Sequence, residues 1–203
     1  MLRSVLLAVI AVTSVAHANK PVLSLDDGVF ASSTAFPAVS SDGKQLAELF
    51  LDAEDFSGAP VTTLVVWSTA TGAVIASFSL SATSNAGVDP NLVLARANAW
   101  LASAKWHDAT LYPASGSSSV TAAGTTFTLD TAHENIEFGK RRVQVVTSRI
   151  VPVDHGCGSI PRGFDRAFGA GNLVVLVPVP GSLGGDSCAG LPAVDTAMAF
   201  VLP

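Results

Sequence analysis

The sequence predicts an α+β fold: antiparallel and β-rich, with blade-like or sandwich-like sheets and one long amphipathic helix at about residues 90–105. Three observations predict it. Most of the chain consists of short β-branched and aromatic runs separated by Gly, Asp and Pro turn signals. One stretch alone, behind Asp89-Pro90, switches to a 3.6-residue period. With 49% hydrophobic and 13% charged residues, the composition is that of a chain that buries a core.

The first eighteen residues, MLRSVLLAVIAVTSVAHA, stand apart from that fold. Arg3 supplies a positive start, an apolar run follows, and Ala16-His17-Ala18 is the small-x-small pattern that signal peptidase accepts. The run falls short of the roughly 20 apolar residues needed to span a bilayer. Residues 1–18 therefore read as a cleaved export signal. Residues 19–203 read as one β-rich globular domain, with the possibility of two related halves, 21–85 and 113–203, joined by the helix.

Within that domain, Gln45 to Ala53, Thr62 to Ser68 and Val74 to Leu80 read as strands, with Ser41-Asp42-Gly43-Lys44 and Thr71-Gly72 as turns. Asp89 is a good N-cap and Pro90 fits the first helical position. Val93, Ala97, Trp100, Leu101 and Ala104 then fall on one helical face, with Trp100 as the expected core anchor. Ser117–Thr121 and Thr125–Asp130 flank Ala122-Ala123-Gly124 as a hairpin. Residues 142–153, 173–179 and 194–202 read as further strands, and 163–168 as a short helix. Laying Gly43 on Gly124 brings TTLVVW near RRVQVV, a two-fold pattern that chance among β-rich segments explains about as well.

The turn at residues 40–44 carries a family resemblance. Pro37-x-x-Ser40-x-Asp42-Gly43-Lys44-x-x-Ala47, followed by Leu64-Val65-Val66 and Thr71-Gly72, resembles one repeat of a TolB-type β-propeller, with Ser41 where those repeats carry Pro. No second copy of the motif occurs. The resemblance implies a bacterial protein placed outside the cytoplasm, secreted or periplasmic, and protein interaction more than catalysis.

Charge and cysteine usage narrow the function classes. A net charge of −5 offers no footprint for nucleic acid, and no membrane partner is expected once the leader is gone. Two cysteines, Cys157 and Cys188, form the simplest disulfide for an oxidising compartment, worth roughly 3–4 kcal/mol by loop entropy. In VDHGCGSIPRG, His155 beside Cys157 is the one arrangement resembling a thiol nucleophile with its base. Catalytic partners usually meet through the fold, however, and a second exported cysteine is present to oxidise the first.

Asp52, Glu54 and Asp55 are weak candidates for calcium, since Thr63 stands where an EF-hand-type loop would carry its closing Glu. His133, Glu134 and His155 lack zinc spacing. The stretch Gly181 to Asp186 lacks the lysine of a phosphate loop, so no cofactor is implied. Lys140-Arg141-Arg142 reads as the charged entrance to an edge strand. Trp67, Trp100, Trp106 and Tyr112 could stack on sugars, but core packing accounts for them better. The expectation is thus a non-enzymatic exported domain that binds a protein or surface glycan. A thiol or other hydrolase using Cys157 and His155, and a calcium-dependent binding module, are the alternatives.

Overall fold

The computed structural model describes residues 21–32, 36–52, 61–81, 89–130, 135–144, 163–178 and 197–203. Among them, antiparallel sheets and a single helix make up the fold. The chain begins with a hairpin, β1 (Leu23–Asp26) and β2 (Val29–Ser32). A meander follows: β3 (Ala38–Ser40), β4 (Gln45–Asp52), β5 (Val61–Ser68) and β6 (Val74–Ser81). Helix α1 (Pro90–Ala102) comes next, and β7 (Trp106–Asp108) then returns to pair with β3, giving a five-stranded sheet of order β6-β5-β4-β3-β7.

The described residues that follow build two four-stranded sheets. One is a plain meander of β9 (Ser119–Ala122), β10 (Thr125–Asp130), β11 (Asn135–Phe138) and β12 (Arg141–Gln144). The other is assembled from β8 (Thr110–Tyr112), β13 (Phe164–Ala170), β14 (Leu173–Pro178) and β15 (Met198–Val201), in the order β15-β14-β13-β8.

Side-chain alternation along the strands explains how the sheets stack. Leu64 and Val66 of β5 face a layer formed with Leu23, Phe30, Ala97, Leu101 and Trp106, so the hairpin and α1 cover one face of the five-stranded sheet. Val65 and Trp67 point the other way and meet Phe168, Leu173, Val175 and Val177 of the β8-containing sheet. That sheet is covered on its far side too, because Val174 and Leu176 join Phe127, Ile136 and Phe138 of the β9–β12 meander. Phe127, Phe138 and Phe200 close this last layer with ring centroids 5.0–5.3 Å apart. Burial on both faces is why β14 is apolar at every position but its last, LVVLVP, with no polar alternation. Gly169 permits the close pairing there: a Cβ at this position would lie 2.3 Å from the Leu173 carbonyl oxygen.

The helix is shorter than its sequence pattern suggests, at 13 residues, and ends at Ser103, whose N–H and hydroxyl both donate to the Trp100 carbonyl. Its start follows expectation. Asp89 is extended and its carboxylate accepts from the Asn91 N–H at 2.9 Å, with Pro90 directly behind. Asp89→Ala should cost about 1 kcal/mol, read as a lower urea midpoint with an unchanged slope. The Asn98 amide fastens the hairpin to the helix, accepting from the Leu23 N–H at 2.8 Å and donating to its carbonyl at 2.9 Å.

Residues 164–168 lie in strand β13, not in the short helix expected at 163–168. Pairing with β8 on one side and β14 on the other decides the conformation against a weak local preference. Gly43 and Gly124 both sit at positive φ in hairpin turns, between β3 and β4 and between β9 and β10. The sequence pattern that matches TTLVVW to RRVQVV is out of step with the strands, since the first belongs to the second strand after its glycine and the second to the third.

Candidate functional site

Much of the chemistry considered from sequence falls outside the described residues: Cys157 and Cys188, Asp154 and His155, His133 and Glu134, and Glu54 and Asp55. Asp52 ends β4 opposite Val61. Among the described residues no three His, Cys, Asp or Glu side chains gather closely enough to hold a metal ion, and no helix is long and apolar enough to cross a membrane.

The motif residues at 40–44 are occupied in building their own turn. The Ser40 hydroxyl donates to Asp42 Oδ1 at 2.7 Å and accepts from the Gln45 N–H at 2.9 Å. Asp42 Oδ1 also accepts from the Lys44 N–H, and these two hydrogen bonds hold the Asp42 carboxyl below the usual carboxylate range. Thr69 closes the structure from the next turn, donating its hydroxyl to the Gly43 carbonyl at 2.6 Å and its N–H to that of Lys44 at 2.9 Å. These polar atoms bond to one another and are poor candidates for a ligand site.

Two arrangements fall outside the sequence expectations. The first is a charge pair between sheets. Glu48 shares the inward face of β4 with Leu46 and Phe50, and is 2% exposed. Its Oε1 accepts from Arg166 Nη1 at 2.6 Å, and the guanidinium also lies 5.1 Å from the centre of the Phe50 ring. A register shift between Phe164 and Arg166 makes this possible: Phe164 and Ala167 face the outer core while Arg166 turns inward. Glu48 Oε2 has no donor among the described residues. Burial pushes the Glu48 carboxyl up to about 7, against the downward pull of Arg166.

The second is a groove of about 610 Å³ between β6 and α1. Its lining is Ile75, Ala76, Ser77 and Phe78 from the strand, and Arg96, Ala99, Trp100 and Ser103 from the helix. Ala76 and Phe78 face the layer that α1 covers, and a register shift with β5 makes Ile75 an extra residue that breaks the alternation, so the wall is the helix-side face of β6 together with its edge. β6 has β5 on one side and, among the described residues, no partner strand on the other. The helical wall is one stripe, with residues spaced three and four apart. Trp100 packs against the core around Ala97, Leu101 and Trp106 from its rim and is not the most deeply buried residue there. It is half-buried, its ring 6.4 Å from Phe78 and its Nε1 without an acceptor among the described residues. Next to this helix the more deeply buried indole is that of Trp106.

Edges differ in how they are protected. β12, the edge of the β9–β12 meander, carries Arg141 and Arg142, and Arg142 bonds across the ladder to Glu137. β6 reads VIASFSLS over eight residues, with no charge and no proline, and exposes Val74 (55%) and Ile75 (42%). It is the longest edge strand among the described residues. Of the usual deterrents to strand pairing it has a bulge, at Ile75, where the register with β5 shifts between Val66 and Trp67, but neither charge nor proline. In comparisons with protein-family models, curated proteins and solved structures, nothing matched this chain.

The sequence held partial signals of both arrangements. Glu48 lies in phase with Leu46 and Phe50, a signal weakened because both phases of QLAELFLD are apolar. Arg96 and Trp100 are four apart on a helix, hence on one face.

Proposed function

We propose that this is a non-enzymatic exported binding domain that receives an extended segment of a partner protein as an added strand along β6. The long, uncharged edge of β6, which has no partner strand among the described residues and lies beside an aromatic groove, carries the reading. Strand addition draws its affinity from main-chain hydrogen bonds and its selectivity from alternate side chains that enter neighbouring pockets. The groove has a volume suited to such side chains. Export rests on the leader-like residues 1–18. A blade-like description of the β3–β6 meander, akin to a TolB-type repeat, fits the same role, because such modules act through binding surfaces.

The test is selection of randomised eight-residue peptides displayed on phage against the full exported chain. Peptides with alternating β-branched or aromatic residues should be enriched. Ile75→Lys, which places a charge on the exposed edge, should weaken the selected peptides at least tenfold while leaving the melting temperature within a degree or two. Enrichment that Ile75→Lys does not affect, or binding confined to a glycan array, would count against strand addition at β6.

A further inference from the structure

Resting on that reading, we infer that the segment received by the groove carries a carboxylate side chain that pairs with Arg96, two residues from an apolar side chain that packs on Trp100 and Phe78. The two walls bear one charge between them. Helix α1, PNLVLARANAWLA, has Arg96 as its single charged residue, and β6 has none. Arg96 is exposed at the groove and has no ion partner among the described residues, whereas Arg142 and Arg166 are both paired. A guanidinium beside a strand edge suits a carboxylate, which it can grip through two parallel N–H bonds. The chain as a whole is acidic, with a net charge of −5, so this cation gives the groove a charge opposite to the net charge of the protein.

Geometry sets the spacing. Arg96 and Trp100 are about one helical turn apart, roughly 5.4–6 Å along the axis. Alternate residues of an added strand lie on one face about 6.6–6.8 Å apart. Adjacent residues would point to opposite faces, so the carboxylate and the apolar side chain that meet Arg96 and Trp100 must be separated by one residue. Phe78, against which Trp100 already leans, extends the apolar floor.

The experiment uses the same peptide selection on the full chain and on Arg96→Gln, a change that keeps helix propensity and touches no buried group. On the parent chain, selected peptides should share Asp or Glu two positions from Phe, Leu, Ile or Trp. A synthetic peptide of that consensus should bind about tenfold more weakly to Arg96→Gln, and its Glu→Gln version should lose a similar factor on the parent but nothing further on the variant. Enriched peptides with no acidic preference, or with unchanged affinity for Arg96→Gln, would overturn the carboxylate inference and leave strand addition standing. Failure to enrich any peptide over the Ile75→Lys protein would overturn both.

Discussion

Arg166→Leu is expected to lower the melting temperature by about 10 °C at pH 8, and by much less at pH 5. At pH 8 the Glu48 carboxylate is ionised, almost fully buried and bonded to Arg166 Nη1. Removing the guanidinium leaves a buried charge with nothing to balance it, a loss of about 3–5 kcal/mol. At pH 5 the carboxyl holds its proton, so the variant forfeits chiefly the contact between Arg166 and Phe50. The parent protein carries the same logic in weaker form. The carboxyl is raised to about 7 in the fold, above its ordinary value of 4.5. The native state therefore binds the proton more tightly than the unfolded chain. The resulting stabilisation is complete below pH 4.5 and is lost as pH rises through 7. Glu48→Gln keeps an acceptor for Arg166 and removes the titration, so it should flatten this part of the stability profile and raise stability at pH 8. Thermal unfolding followed by circular dichroism from pH 5 to pH 8 checks all three proteins. An equal loss for Arg166→Leu at both ends would mean that Arg166 acts through packing alone.

How much of this was legible in the sequence depends on how local the cause is. The hairpin turns at Gly43 and Gly124 and the helix start at Asp89-Pro90 are decided within a few residues, and the sequence places them correctly. Strand β13 is not. Its register shift disrupts the two-residue alternation around Asp165 and Arg166, and without that period Gly163 to Phe168 passes for a turn of helix. Glu48 goes unremarked in the sequence because both phases of QLAELFLD are apolar, and its partner lies 118 residues away, brought close only by the stacking of two sheets. The groove is a mixed case. The Arg96–Trp100 stripe follows from helical spacing, whereas the status of β6 as an edge follows from the order of strands in a sheet. That order is a tertiary property: a run such as VIASFSLS would read the same in a central strand with β-partners on both sides.

The two tryptophans flanking the end of α1 should respond very differently to truncation, and the difference separates core from site. Trp106 is 1% exposed, packs among Leu64, Val66, Ala97 and Leu101, and donates its indole N–H to the Leu101 carbonyl at 2.7 Å. That carbonyl belongs to the last turn of the helix, where no residue further along can supply an intrahelical donor. Trp106 thus satisfies the helix end and ties it to the five-stranded sheet, in which it pairs with Ser40. Trp106→Ala should cost about 3–5 kcal/mol, and Trp106→Phe, which keeps most of the apolar contact and loses the hydrogen bond, about 1–2 kcal/mol. Trp100 leans on Phe78 at the rim of the groove and is half-buried, so Trp100→Ala should cost about 1 kcal/mol in stability. Its larger effect should be on peptide capture, because it removes the aromatic floor beside Arg96. Urea unfolding gives the first set of numbers and the selected peptides give the second. If Trp100→Ala destabilises as much as Trp106→Ala, Trp100 is a structural anchor after all and the groove loses its aromatic wall for recognition. If it leaves stability nearly intact and weakens binding tenfold or more, the same helix serves the core through Trp106 and the partner through Trp100.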